Sequence, residues 1–569
     1  MRQTEPTLHL AATTATPLNN MMRMQKIPAL LGLCCLALTA MGQAPTSVQP
    51  FNGKRPKLVV GLVIDQMRWD YLYRYHARYG SGGFKRMLAE GFSAENTMIP
   101  YAQTVTAAGH ACVYTGSVPA INGIMGNDWY DPQLKKTVYC VEDDSVQVIG
   151  GTANSEPMSP RNLWVSTISD ELRLATNFRS KVVGVALKDR GSILPAGYTG
   201  TAYWYEGKTG HFISSSWYMK QLPAWVNQFN QRKLVDSLYQ QPWKTLYPIN
   251  SYKQSDDDDV PYEGKSPADK GPVFPHELSS YIGRNYDAIR TTPFGNTLTL
   301  AFAKAAMQAE GLGKDEDTDL LAVSLSSPDY IGHQYGPNSI EMEDNYLRLD
   351  QELAAFFAHL DKEVGKGQYL VFLTADHAVA HTPLYLAKKG FPISPLSGDV
   401  TEINKKVFQR FGVPNIIRSS ANYHLHLNHT AMDTLRKNKK EIIDYIVQEL
   451  KSKPHIYSAW DNAELQQLNL PAVMKERFVN GFNPKLGGDI QLVLKAGFFY
   501  GWVTGTTHGA WYPYDSHIPA VFMGWGVQPG RTNRPTSMAD IAPTVAAMLR
   551  IQMPSGCIGQ PITELLPMR

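Results

Sequence analysis

The sequence predicts an α/β protein with a mostly parallel central sheet and helices on both faces. Three observations predict it. Short, unbroken apolar runs recur along the chain, helical patterns lie between several of them, and ionisable residues cluster just after the runs. A strand buried on both faces reads as a continuous apolar run, and strands alternating with helices specify a layered α/β architecture. In such sheets ligands bind beyond the carboxyl ends of the strands.

The first run, Leu58–Ile64, opens directly from a basic leader between Lys54 and Lys57. Similar runs occur at Lys181–Leu187, Leu320–Leu325, Tyr369–Thr374 and Pro519–Phe522. Helical periodicity is clearest over Met342–Leu360 and Ala539–Leu549. Two stretches fit the alternation poorly: about 200–290, rich in Tyr, Trp, Pro and Gln, and about 385–500. Both read as insertions that cap the sheet. The acidic run Asp256–Asp259 reads as a solvated loop, because it lacks the glycine and distal glutamate of a calcium loop.

The chain has 569 residues, 43% hydrophobic and 18% charged, which suits a globular protein with a large core. A formal net charge of +3 gives no reason to expect a nucleic-acid or anionic-membrane partner. Residues 1–42 read as a leader and secretory signal peptide: Arg23 and Lys26 precede an apolar run from Ile27 to Met41, with small Ala40 and Gly42 near its end. That run is shorter than the roughly 18–20 residues of a membrane span, so no stable anchor is expected. Bulky Leu33 before Cys34 argues against a lipoprotein site. The expectation is a periplasmic or secreted protein whose mature domain covers 55–569. Cys112, Cys140 and Cys557 remain after cleavage and permit at most one disulfide.

The residues after the strands carry the chemistry. Asp65 ends the first run; taken alone, it would read as a helix cap. Asp329 and His333 are four apart after another run, a spacing that puts both on one face of a helical turn. Asp376 and His377 follow Tyr369–Thr374, and His508 lies in the glycine-flanked loop Gly505–Gly509. Three carboxylates and three imidazoles suffice for two ions, and the mixed donor set favours zinc over calcium or magnesium, with manganese, cobalt and iron still open. The segment Pro100–His110 holds Thr104 and Thr106 ahead of a small-residue helix start. A threonine there serves ordinarily as a cap, but a helix N-terminus also offers N–H groups to an anion.

The strings Val63–Asp70, Thr104-Val105-Thr106, Tyr114–Pro119, Lys188-Asp189-Arg190-Gly191, Thr374–His377 and Asp540–Thr544 stand in one order. In this the chain resembles the phosphate-irrepressible bacterial alkaline phosphatases of the alkaline phosphatase superfamily, relatives of the nucleotide pyrophosphatase/phosphodiesterases. The resemblance runs from about residue 55 to the C-terminus and is loose in the cap regions. It implies an alkaline-phosphatase-like three-layer sandwich and a metal-dependent phosphomonoesterase with two Zn2+ per chain. It implies Thr106 as the nucleophile that becomes phosphothreonine. One zinc would be held by Asp329, His333 and His508, the other by Asp65, Asp376 and His377, with Thr106 as its remaining ligand. Asn127, Lys188 and Arg190 would contact phosphoryl oxygens of a small-molecule monoester. The last two favour a monoester over a diester, since a diester presents one less charge and a second substituent. A phosphodiesterase or nucleotide pyrophosphatase is the alternative on the same fold. Oligomeric state is not legible in the sequence, and a monomer is compatible with it.

Overall fold

Five strands form the parallel heart of the structure. In spatial order they are Tyr369–Thr374, Leu58–Ile64, Asp319–Leu325, Val182–Ala186 and Thr201–Glu206. Every residue of the first four is buried, which is why each reads as an unbroken apolar run. The computed structural model describes residues 54–566 apart from 392, 394, 395, 397, 502 and 503, so the expected leader and signal peptide lie outside the described residues.

Both margins of the sheet turn antiparallel. Ala520–Gly524 pairs antiparallel with Tyr369–Thr374 and then with Phe92–Met98. At the other margin, His211–Ser215 pairs with Thr201–Glu206. The sheet therefore takes in the start of the 200–290 stretch as a hairpin, and the irregular part of that stretch begins only afterwards. Helices Thr106–Thr115, Ile168–Ala175, Asp189–Ala196 and Ile541–Leu549 contact one another as one layer. Phe84–Glu90, Phe294–Glu310, Ser327–Tyr335 and Ile340–Leu360 form the other.

A second, four-stranded antiparallel sheet occupies the 385–500 stretch, in the order Ile417–Ser419, His424–Leu427, Ile490–Leu494, Ile456–Asp461. It has a core of its own around Ile403, Ile442, Ile446 and Ile490. The Asn422 amide donates to the Asp128 carbonyl at 2.8 Å, so this sheet reaches over the segment that carries Asn127. Cys112, Cys140 and Cys557 are all free. Among the described residues, no helix is long and apolar enough to cross a membrane.

Candidate active site

Chain direction assembles the site. Asp65, Asp376 and the helix bearing Asp329 and His333 follow the carboxyl ends of three adjacent parallel strands. Lys188 follows the next strand, as the residue that opens helix Asp189–Ala196. Thr106 is the first residue of helix Thr106–Thr115, preceded by extended Val105. All ten candidate residues except Asn127 and Arg190 meet in one cluster of ion pairs and ring contacts, and these two border it.

Asp65, Asp376 and His377 offer ligand atoms that all lie within 4.8 Å of one another, and so do Asp329, His377 and His508. His377 thus stands between the two groups. His333 flanks the second, its Nε2 3.2 Å from Asp329 Oδ1 and its ring 5.0 Å from that of His508. The other ring nitrogens are occupied by backbone carbonyls: His333 Nδ1 by Thr506, His508 Nδ1 by Thr104 and His377 Nδ1 by Ala378. Each imidazole therefore turns Nε2 toward the carboxylates, the arrangement in which a histidine meets a metal.

The charge balance of this cluster calls for cations. Lys188 Nζ lies 2.6 Å from both Asp65 Oδ2 and Asp329 Oδ2, and its side chain is only 2% exposed. One ammonium set against three buried carboxylates leaves the cluster two charges short. Neither Asp65 oxygen, nor Asp376 Oδ2, receives an aligned hydrogen bond despite full burial. Burial, then the Asp376 charge, pushes the Asp65 carboxyl up to about 7. Burial likewise lifts Asp376 to about 6 and depresses His377 to about 4 and His508 to about 3. Burial would also raise Asp329, but His333 and Lys188 hold it well below the usual carboxylate range. The neutral His377 and His508 imidazoles beside Asp65 and Asp376 oxygens that lack an aligned donor fit one or two divalent metals, and the nitrogen and oxygen donors suit zinc.

Thr106 faces this cluster. Its Oγ1 is 3.3 Å from Lys188 Nζ and 3.5 Å from His377 Nε2. Asn127 Oδ1 accepts the Ala107 N–H at 2.9 Å, which leaves the amide Nδ2 free to donate. Arg190 is aimed by Tyr139: its NH1 donates to the Tyr139 hydroxyl at 2.9 Å, and that hydroxyl donates to Asp189 Oδ1 at 2.5 Å. Arg190 Nε is buried without a partner. A cavity of about 600 Å³ lined by Val105, His508, Tyr423 and Leu492 opens beside the nucleophile position.

Four supporting residues escaped the sequence reading or were left open by it. Gln66 adopts a left-handed backbone, φ 64°, from which its N–H donates to Asp376 Oδ1 and its Nε2 donates to Asp329 Oδ1 at 2.6 Å. His110 bridges the Thr106 carbonyl and Ser324 Oγ at 2.9 Å each. Thr104 donates to the Ala510 carbonyl and accepts from Gly509 N–H, fastening the His508 loop. Tyr139 carried no signal at all.

The sequence pattern of the type I phosphodiesterase / nucleotide pyrophosphatase family matches residues 59–509. The chain is 53% identical over 525 residues to alkaline phosphatase PhoV of Synechococcus elongatus, covering 91% of this chain and 94% of that protein. It is 50% identical over 534 residues to alkaline phosphatase PafA of Elizabethkingia meningoseptica, covering 92% and 96%. The crystal structure of wild-type PafA superposes with a TM-score of 0.89 over 90% of this chain and 99% of that one.

Proposed function

The chain belongs to the type I phosphodiesterase / nucleotide pyrophosphatase family, and from that premise we propose an exported alkaline phosphatase that works through a phosphothreonine on Thr106 with two bound zinc ions. The chain is a hydrolase of the alkaline phosphatase type, acting on phosphate monoesters. The observation that carries the phosphothreonine and two-zinc reading is the buried, cation-deficient carboxylate cluster around Thr106.

In this reading one zinc would be held by Asp65, Asp376 and His377 together with Thr106, and the other by Asp329, His333 and His508. When bound, the metals supply Lewis-acid chemistry, favouring the threonine alkoxide and the departing ester oxygen. The protein does the rest. Thr106 Oγ1 gives up its proton to solvent and attacks phosphorus, the ester P–O bond breaks, and the leaving alkoxide takes a proton from solvent to depart as the alcohol. Water then cleaves the phosphothreonine and regenerates the hydroxyl. Lys188, 3.3 Å from the hydroxyl, stabilises negative charge as it develops there. Asn127 Nδ2 and Arg190 Nε are the free donors for the non-bridging oxygens. A phosphodiesterase is the second reading on this fold, and the paired cations Lys188 and Arg190 favour the monoester.

The test is metal removal with verified loss, followed by zinc addition. Activity should vanish and return, and a rapidly acid-quenched reaction should carry phosphate on Thr106. Full activity in metal-free protein, or phosphate on another residue, would overturn this function. Export is supported by the signal-like composition before residue 42 and is tested by N-terminal sequencing of the mature protein.

A further inference from the structure

We propose that Glu263 and Glu341 together hold a structural calcium ion beside the helix that carries Asp329 and His333. The site is independent of the phosphatase centre. It is built where residues 255–264 lie along the end of helix Ser327–Tyr335 and the start of helix Ile340–Leu360. Four bonds fasten that segment: Ser255 Oγ meets the Ser339 carbonyl at 2.9 Å and Glu343 Oε2 at 2.7 Å, Asp256 N–H donates to the Asn338 carbonyl at 2.8 Å, and Gly264 N–H to the Gln334 carbonyl at 2.7 Å. They bring Glu263 next to Gln334 and Tyr335, close to the first turn that holds Glu341.

The two carboxylates are buried and short of partners. Glu263 is 6% exposed, and neither of its oxygens meets a donor. Glu341 is fully buried; its Oε1 meets His276 Nε2 at 3.0 Å, while its Oε2 has no partner. His276 Nδ1 is bound to Asp269 Oδ2 at 2.8 Å. Burial opposes the charge on His276, but Asp269 and Glu341 lift the imidazole to about 9, so it is protonated at neutral pH. Burial and then the Glu341 charge push the Glu263 carboxyl up to about 11, and burial raises Glu341 as well, so without a cation the pair holds a proton that a bound cation would displace. The Asp256–Asp259 run adds to the same potential, and Lys388 beside it is paired with Asp256. A buried carboxylate without a partner is a costly state that proteins relieve with a cation or a proton.

The donor chemistry selects the ion. Both nitrogens of His276 are engaged, so only oxygens remain, and zinc, which prefers nitrogen or sulfur, is disfavoured. Magnesium keeps several waters and suits an open site. Calcium accepts six to eight oxygens in irregular geometry, with carboxylates bidentate and carbonyls completing the shell. No calcium-loop pattern marks the site, because its two acids come from separate segments.

The experiment uses the zinc-loaded full chain, freed of loosely bound calcium. Calcium bound per chain is measured by equilibrium dialysis with radioactive calcium, and thermal unfolding is followed with calcium or with magnesium. Wild type should bind one calcium per chain. Its Tm should rise by about 3 °C or more at a hundredfold excess over Kd, with little response to magnesium. Glu263→Gln breaks no hydrogen bond, so it should fold as wild type by circular dichroism yet lose both the bound calcium and the Tm response. Wild type that binds no calcium overturns the site, whatever any variant does. Glu263→Gln that binds calcium as wild type overturns it too. So does equal melting in calcium and magnesium, the result expected if the two acids merely share a proton.

Discussion

Replacing Lys188 and Arg190 together by alanine separates a phosphomonoesterase from a diesterase on one fold. Lys188 Nζ stands 3.3 Å from the Thr106 hydroxyl and is 2% exposed. Arg190 is held by Tyr139 and keeps a buried, unused Nε. Each therefore offers a charge-assisted contact in a site where water screens little. Losing one such donor costs about 2–4 kcal/mol of transition-state stabilisation, by analogy with an oxyanion donor. That is roughly 30- to 1000-fold in kcat/KM. The pair serves one phosphoryl group, so the double loss should fall short of the product of the single losses, at about 10³-fold or somewhat more. Lys188 also neutralises Asp65 and Asp329, so the assay belongs in zinc-saturated buffer, where bound metal replaces that role. The measurement is kcat/KM for an aryl phosphate and for its methyl diester with the same leaving group. Monoester turnover should fall steeply and diester turnover much less, and inorganic phosphate should inhibit the variant more weakly. Equal losses for both substrates would refute the reasoning: the two cations would then serve the fold, and the diesterase reading would move to first place.

Thr106→Ala should abolish turnover while the protein keeps its zinc content and melting temperature, since the side chain makes only long contacts in a rigid helix start. Thr104→Ala loses two bonds to the His508 loop, so zinc affinity and kcat/KM should fall by about tenfold, corresponding to about 1–1.5 kcal/mol; a reversal of the two effects would identify the other threonine as nucleophile. Gly109→Ala would place a methyl carbon 2.2 Å from the Asp376 carbonyl oxygen and 2.6 Å from its Cβ. The strand end must then shift, at about 1–3 kcal/mol of stability and with loss of zinc; thermal unfolding and metal analysis report both, and an unchanged protein would show that the backbone there yields.

What the sequence disclosed and what it hid divide on one physical line. A buried parallel strand imposes apolarity on most of its residues, so its end is visible as a return of polar residues, and Asp65, Asp329 and Asp376 each stand within a few residues of such an end. Direction alone then gathers them at one edge of the sheet. Contacts made across the structure leave no such trace. Nothing in the local pattern announces the left-handed turn at Gln66 that couples Asp376 to Asp329, or Tyr139 steering Arg190. His424 and His426 alternate along a strand of the second sheet, yet both are buried, and Gln103 and the Gly488 N–H, from distant segments, satisfy His424. The acidic run is the partly solvated loop its composition suggests, with side chains that reach Lys388, Tyr262 and a backbone N–H, while the buried acids with unsatisfied oxygens beside it are Glu263 and Glu341, which no spacing rule would connect. A motif search is therefore blind to a site whose donors come from segments joined only by folding, and charge balance within the folded core is the observation that exposes it.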